Sequence, residues 1–294
     1  MIQSYRCGRY SLKFNRTLVM GILNVTPDSF SDGGLHQNRV SALRHAKQMV
    51  GEGADILDIG GESTRPWSDP VSTEEEIKRV IPIIKRIRKA TILNVPVSID
   101  TMKPLVARKA LESGANILND VSGFRNEEMV RIAAEFQVPV VVMHMKGTPQ
   151  TMQKAPRYKN VVDEILSYFE TRLKILTKNK VKKIILDPGI GFGKKVKHNL
   201  EILKNLSQFR KLGYPVLIGL SRKSFLGKSL KLDVDNRLNA TIAANVVSIW
   251  NGADIIRVHD VKENLLAARL TDLILDLGLR KSNNFDKNKK SLKK

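Results

Sequence analysis

Cysteine occurs once in the 294 residues, as Cys7. A single thiol forms no intrachain disulfide, so the fold must rest on packing, and a reducing cytoplasm is the expected setting. Long apolar runs are missing as well. No stretch approaches the ~20 apolar residues of a membrane span, and the opening MIQSYRCGRYSLKFNRT lacks the apolar centre of a signal peptide. Aromatic residues make up 5% of the chain, without the interleaving with basic residues that single-strand binders use. Acidic residues are also scarce: 29 Asp and Glu face 50 Lys and Arg, a net charge of +21. The terminal Lys281–Lys294, with six Lys and one Asp, supplies only five of those charges. The rest is spread over many segments and reads as compositional drift toward lysine. No nucleic-acid partner is expected, although part of the charge would steer anionic substrates inward.

What is present is a regular alternation. The apolar run Leu18–Val25, interrupted only by Asn24, breaks into Thr26, Pro27, Asp28, Ser29, Phe30, Ser31, Asp32 and Gly33-Gly34. A run of that kind ended by turn formers reads as a strand buried on both faces. Helical spacing follows over Val40–Glu52, where Ala42, Leu43, Ala46, Met49 and Val50 share a face. Further strands are predicted at Asp55–Gly61, Pro96–Asp100, Ile117–Asp120, Pro139–Met145, Ile184–Gly189, Pro215–Ser221 and Asp254–Asp260. Helices between them are predicted from Ser72, across Pro82, and then at Pro104–Ser113, Glu127–Phe136, Val161–Thr177, Asn199–Leu212, Leu238–Trp250 and Val261–Leu277, the last capped by Gly278. Eight β-then-α units in one chain imply a parallel sheet, closed as a single-domain α/β (β/α)8 TIM barrel. An open doubly wound sheet is the alternative, and no GxGxxG follows a first strand to favour it. Residues 1–17 read as a cap segment over the barrel floor, 18–280 as the catalytic domain, and 281–294 as a disordered basic tail.

In such a barrel the C-terminal ends of the strands form the functional face. Those ends carry Asn24, Asp58, Asp100, Asn119 with Asp120, His144, Asp187, Ser221 followed by Arg222 and Lys223, and Arg257 with His259. Polar residues at buried strand ends are costly unless paired. Singly, Asp58 and Asp120 read as caps of the next helix and His144 as a core histidine. As a set, Asp100, Asn119, Asp187 and Lys223 suit a flat heterocycle with an amidine edge, because a carboxylate accepts two parallel N–H bonds. Asn24, Thr64, Arg65, Arg257 and His259 suit a phosphate or diphosphate. A divalent ion on Asn24 would neutralise such a group, and an all-oxygen environment favours Mg2+.

The stretches NVTPDSFSDGG (Asn24–Gly34) and GADILDIGGESTRP (Gly53–Pro66) are followed in order by SIDT, ILNDVSG, MHMKGTP, LDPGIGFGK, GLSRKSFLG and IIRVHDVKE. Together they resemble the dihydropteroate synthase family, the sulfonamide target, over about residues 15–278. The resemblance implies condensation of (7,8-dihydropterin-6-yl)methyl diphosphate with 4-aminobenzoate, giving 7,8-dihydropteroate and diphosphate. It implies a metal and diphosphate at Asn24 and a pterin on Asp100, Asn119, Asp187 and Lys223, with Met143 and Phe192 among the binding residues. It implies diphosphate at Arg257 and His259, with Arg257 also near the pterin, and puts Ser221 and the start of the next helix toward the benzoate carboxylate. Phe30 and Asp32 fall on a first mobile loop, and Thr64, Arg65 and Pro66 on a second. Asp32, Arg65, Lys223 and Arg257 are the expected catalytic residues. A homodimer is expected, since the sixth to eighth predicted helices carry much apolar surface. The alternative is a pterin-binding methyltetrahydrofolate methyltransferase, which could share the Asp–Asn–Asp cradle but would not need the two loops or the Arg257–His259 pair.

Overall fold

A computed structural model describes residues 2–25, 34–64, 68–90 and 93–291, with 34–38 and 277–291 as backbone alone. An antiparallel hairpin, β1 (Ser4–Cys7) and β2 (Tyr10–Lys13), comes first. The barrel strands are β3 (Leu18–Asn24), β4 (Ile56–Gly60), β5 (Val97–Asp100), β6 (Ile117–Asp120), β7 (Val140–Met143), β8 (Ile184–Asp187), β9 (Leu217–Gly219) and β10 (Ile255–Val258). They pair in parallel in the order β8-β7-β6-β5-β4-β3-β10-β9. A single bridge, Leu186 to Val216, joins the two ends of that order and closes the barrel.

Helices alternate with these strands: α1 (Gly34–Gly51), α2 (Thr73–Lys89), α3 (Pro104–Glu112), α4 (Glu127–Phe136), α5 (Val161–Lys178), α6 (Val196–Lys204), α7 (Ser207–Arg210), α8 (Ser224–Leu230), α9 (Leu238–Trp250) and α10 (Val261–Ser291). Local chemistry sets their starts. Ser72 accepts from the Glu75 amide to cap α2, and three glutamates fill its first turn. Asn126 and Asn160 cap α4 and α5 in the same way. α2 runs through Pro82 without ending.

Three spans differ from the sequence reading. α1 begins at Gly34 rather than near Val40. The helix expected over Asn199–Leu212 is two pieces, α6 and α7, broken around Asn205. α10 does not stop at Gly278 but continues to Ser291, so most of the segment expected to be disordered is helical. An interior glycine costs a helix only about 1 kcal/mol, so Gly278 alone need not end it.

Strand parity separates two cores. Leu57, Ile59, Leu118, Val140, Val142, Ile184, Leu186, Ile218, Ile256 and Val258 pack outward against the helices. Met20, Ile56, Ile117, Val141, Ile185, Leu217 and Ile255 face the barrel axis, and Tyr5, Cys7 and Leu12 of the hairpin close that layer from below. Successive side chains alternate across a strand. The layer two residues further along the axis is therefore Asp58, Asp100, Asn119, Met143, Asp187, Gly219 and Arg257, with Asn24 beyond Ile22 at the end of β3. The fold carries one apolar floor and, directly above it, one polar mouth.

Candidate active site

Arg257 sits at the centre of the mouth. Its Nε donates to Asp58 Oδ2 at 2.6 Å and an Nη donates to Asp100 Oδ2 at 2.8 Å. Asp58 Oδ2 also accepts from Asn119 Nδ2 at 3.1 Å. Thus Asp58, a fully buried residue, does not cap the next helix; Ser72 does. Asp120, of opposite parity, points away from the axis and accepts from the Ser122 and Phe124 amides at 2.7 and 2.8 Å. It shapes its own loop, while Asn126 caps α4, so the capping role read for Asp120 is also corrected.

Burial dominates the electrostatics. It raises the Asp100 carboxyl from 3.8 to about 7 even though Arg257 lies beside it. It raises Asp187 too, against the pull of Lys223 and of the Gly189 amide, which donates to Asp187 Oδ1 at 2.7 Å. It lowers Lys223 to about 8, although Asp187 opposes that. Lys223 precedes α8, donates to the Ile190 carbonyl, and lies 4.9 Å from the Phe192 ring centre. Gly219 lies against both cations: a Cβ there would sit in ordinary contact, 3.9 Å from Lys223 Nζ and 3.8 Å from the Arg257 Cβ. Two carboxylate oxygens, Asp58 Oδ1 and Asp100 Oδ1, are buried with no partner among the described residues. Such atoms are costly unless a donor arrives.

His259 and Ser221 form a pair beside this centre. Ser221 Oγ accepts from the His259 amide at 3.2 Å and lies 2.9 Å from its Nδ1. Ser221, expected to face a carboxylate, also positions His259. The wall opposite is soft and apolar: Val121, Met143, Met145 and Met152 cluster, with Met102 and Phe192 packed on them. Thr64 is half-buried in the loop after β4. Phe30, Asp32, Arg65 and Pro66 lie outside the described residues.

Two lysines not singled out from the sequence support the site. Lys194 is buried, and its Nζ reaches His144 Nδ1 at 2.9 Å and the carbonyls of His144, Gly189 and Phe192 at 3.2, 2.9 and 3.0 Å. It ties the β7 and β8 loops into one body. Burial, with Lys194 adjacent, lowers His144 to about 2, so the ring is neutral and structural, as the core reading had it. Gly189, at φ +69°, passes so near the His144 carbonyl that a Cβ would meet its oxygen at 2.0 Å. Lys103 bonds Glu62, Glu76 and the Val71 carbonyl at 3.1, 2.7 and 2.6 Å, fastening the β4–α2 loop that carries Thr64. A lysine ending a glycine-rich strand loop was the available signal for Lys194; Lys103 gave none.

Among the described residues no three or more His, Cys, Asp or Glu side chains stand together as a metal cage. Asn24 offers one amide oxygen at the rim, and a Cβ on Gly60 would lie 3.8 Å from it. That fits a hard cation carried largely by its anionic ligand and by water, the habit of Mg2+.

Residues 20–259 match the family described as pterin binding enzyme. The chain is 48% identical over 272 residues to the dihydropteroate synthase of Clostridium beijerinckii, covering 90% of this chain and 98% of that one. The Xanthomonas albilineans dihydropteroate synthase with 4-aminobenzoic acid superposes with a TM-score of 0.88 at 39% identity, over 94% of this chain and 99% of that one. The same enzyme in complex with 7,8-dihydropteroate gives 0.84 at 38% identity, over 92% and 98%. With the fold, the mouth and these likenesses in agreement, the chain belongs to the dihydropteroate synthase family of pterin-binding enzymes.

Proposed function

We propose that the polar mouth divides the family reaction between a pterin subsite and an anion subsite. The chain is a transferase of folate biosynthesis that joins (7,8-dihydropterin-6-yl)methyl diphosphate to 4-aminobenzoate, releasing diphosphate and 7,8-dihydropteroate. The observation that carries the division is the interior layer of Asp58, Asp100, Asn119, Asp187 and Arg257, with its unpartnered carboxylate oxygens. Asp187 takes the pterin's 2-amino and ring N–H groups, Asp100 and Asn119 complete the edge, and Lys223 donates to the ring carbonyl. Phe192 and the methionine cluster cover the ring and keep water from its exocyclic methylene.

Diphosphate is a good leaving group, so no side-chain nucleophile is needed. The methylene C–O bond breaks with its electron pair going to the diphosphate, and the ring delocalises the cation. Arg257 and His259 hold the departing charge, and Ser221 holds His259 in place. The lone pair of the benzoate amine forms the C–N bond, and the proton that the nitrogen then sheds passes to the released diphosphate. Asp32, Arg65, Phe30, Thr64 and Pro66 are the residues that the family resemblance assigns to the same reaction. Mg2+, held by Asn24 together with the diphosphate, would add charge neutralisation. The test is diphosphate release with and without 4-aminobenzoate. We expect release to depend on the amine and dihydropteroate to form in equal amount; release to another acceptor, or none, refutes the assignment.

We also infer a homodimer. Val247 and Trp250 on α9 and Leu266, Leu270, Leu273 and Ile274 on α10 are exposed, with relative exposures of 47–65%. α9 and α10 pack on each other, so these residues supply a broad apolar surface of the kind interfaces cover. Sedimentation at micromolar concentration checks this: a single species at twice the 33.0 kDa chain mass is expected. The reading of a cytoplasmic enzyme rests on the single buried Cys7; among the described residues no helix is long and apolar enough to cross a membrane.

A further inference from the structure

Asp58 stands on β4, whose hydrogen-bonded neighbours are β3 and β5. Yet its partners are on neither. Arg257 is on β10 and Asn119 on β6, each two strands away around the ring. One oxygen, Oδ2, receives both donors, at 2.6 and 3.1 Å. The carboxylate therefore spans the barrel interior across five strands. Its side chain is fully buried, and Oδ1 has no partner among the described residues, so no third bond competes for its orientation.

Each of the two contacts fixes something specific. Arg257 is forked between Asp58 and Asp100, one carboxylate on Nε and one on an Nη. Two carboxyl groups on separate strands set both the position and the plane of the guanidinium. Asn119 gives one Nδ2–H to Asp58, which fixes the plane of its amide and the direction in which Oδ1 points. Held so, Asn119 can offer Oδ1 to a ring N–H of a ligand.

We propose that Asp58 is a positioning residue that couples the pterin subsite to the anion subsite. It rests on the subsite reading above, in which Asn119 serves the pterin and Arg257 the diphosphate. A pterin that pulls on Asn119 changes the hold of Asp58 on Arg257, and a bound diphosphate that pulls on Arg257 changes the hold on Asn119. Coupling through one shared acceptor is reciprocal. Asp58 touches neither ligand in this arrangement; it acts through the two residues that do.

The test measures equilibrium affinities for a non-reactive pterin analogue and for inorganic diphosphate with Mg2+, on the full chain. Asp58→Asn keeps shape and loses charge, and Arg257 retains Asp100, so folding is expected. Asp58→Asn should weaken both ligands by about tenfold. Asn119→Ala should weaken mainly the pterin analogue and Arg257→Lys mainly the diphosphate. Asp58→Asn should add nothing further to the pterin defect in the Asn119→Ala background, nor to the diphosphate defect in the Arg257→Lys background. A purely structural Asp58 would lower the melting temperature and the active fraction and leave the affinities of the folded fraction alone; that result overturns the proposal. If Asn119→Ala and Arg257→Lys change neither affinity, the subsite reading falls and the proposal with it. If they act and Asp58→Asn does not, only the coupling falls. Should Asp58→Asn fail to fold, diphosphate titration of Asn119→Ala decides alone. An anion affinity weakened about threefold, at a residue that does not touch the anion, supports the link, and an unchanged affinity refutes it.

Discussion

Met20, Ile56, Ile117, Val141, Ile185, Leu217 and Ile255 fill the barrel at one level, and Asp58, Asn119, Met143, Asp187, Gly219 and Arg257 stand two residues further along six of the same strands. The lower level buries apolar side chains against a hairpin. The upper level buries carboxylates and cations, and two of its carboxylate oxygens have no partner among the described residues. Two residues of strand separate the part of the molecule that is optimised for packing from the part that is not. The upper level is affordable because the lower one is complete. Of the two oxygens, Asp100 Oδ1 stands on the pterin edge, where a ligand will supply a donor.

Substitutions at the two levels should therefore fail differently. Leu12→Ala, in the hairpin that closes the floor, should lose about 2–5 kcal/mol of folding stability and leave both Michaelis constants unchanged. Denaturant melts and steady-state kinetics check this, and a several-fold rise in either constant would mean that the levels are not independent. Asp187→Asn should do the reverse. Replacing an acceptor by a donor opposite a donor should weaken a pterin analogue by roughly 2–4 kcal/mol, while the melting temperature holds or rises because a buried carboxylate has gone. Calorimetry on the folded variant measures it, and unchanged affinity removes Asp187 from the pterin subsite.

A smaller effect is expected at the rim. Binding of 4-aminobenzoate should tighten by about 1–3 kcal/mol when pterin and diphosphate are present, since the loops supply its walls. Lys103→Met releases Glu62 and the Val71 carbonyl of the β4–α2 loop from the ammonium that also holds Glu76 of α2, and should reduce that coupling more than it reduces pterin binding. Labelled 4-aminobenzoate titrations with and without the other ligands compare the two. A separate effect is in pH. Asp100 is raised from 3.8 to about 7 by burial, with Arg257 opposing and Asp58, Glu76 and Asp120 adding to the rise. The folded chain therefore holds a proton that the unfolded chain releases. This contribution to stability is complete below the unfolded value and is lost as pH climbs through about 7. Between pH 4 and 7 the ligand-free protein should lose stability relative to Asp100→Asn, and parallel melting curves for the two would refute the assignment.

Most of the barrel was legible because buried parallel strands announce themselves as short apolar runs ended by polar residues. Their ends located the mouth. What those ends alone did not reveal was which polar residues look inward. Asp58 and Asp120 were read alike, yet one follows Ile56 on the axial side and the other follows Leu118 on the helical side. The two-residue period separates them and was present in the sequence. Lys194 was harder, since its partners are mostly backbone carbonyls whose convergence depends on the path of two loops. The extension of α10 past Gly278 runs against the usual reading of a glycine as a stop.

The ring of strands is laced unevenly. Neighbouring strands share ladders of three to five residue pairs around most of the circumference, but between β8 and β9 the pairing is reduced to one bridge, from Leu186 to Val216 just before β9. Across that junction the Leu186 amide donates to the Pro215 carbonyl at 2.9 Å. Asp187 stands on one lip of this seam, and Lys223 follows the other. In the language of amide exchange, the expected outcome is that this seam opens first, with protection below that of β3 and β4. A ring-shaped ligand gripped by Asp187 and Lys223 would act as a stitch across it. The pterin would then hold the cylinder shut as well as occupy it, and its arrival would be recorded as slowed exchange at Leu186, an amide it never touches.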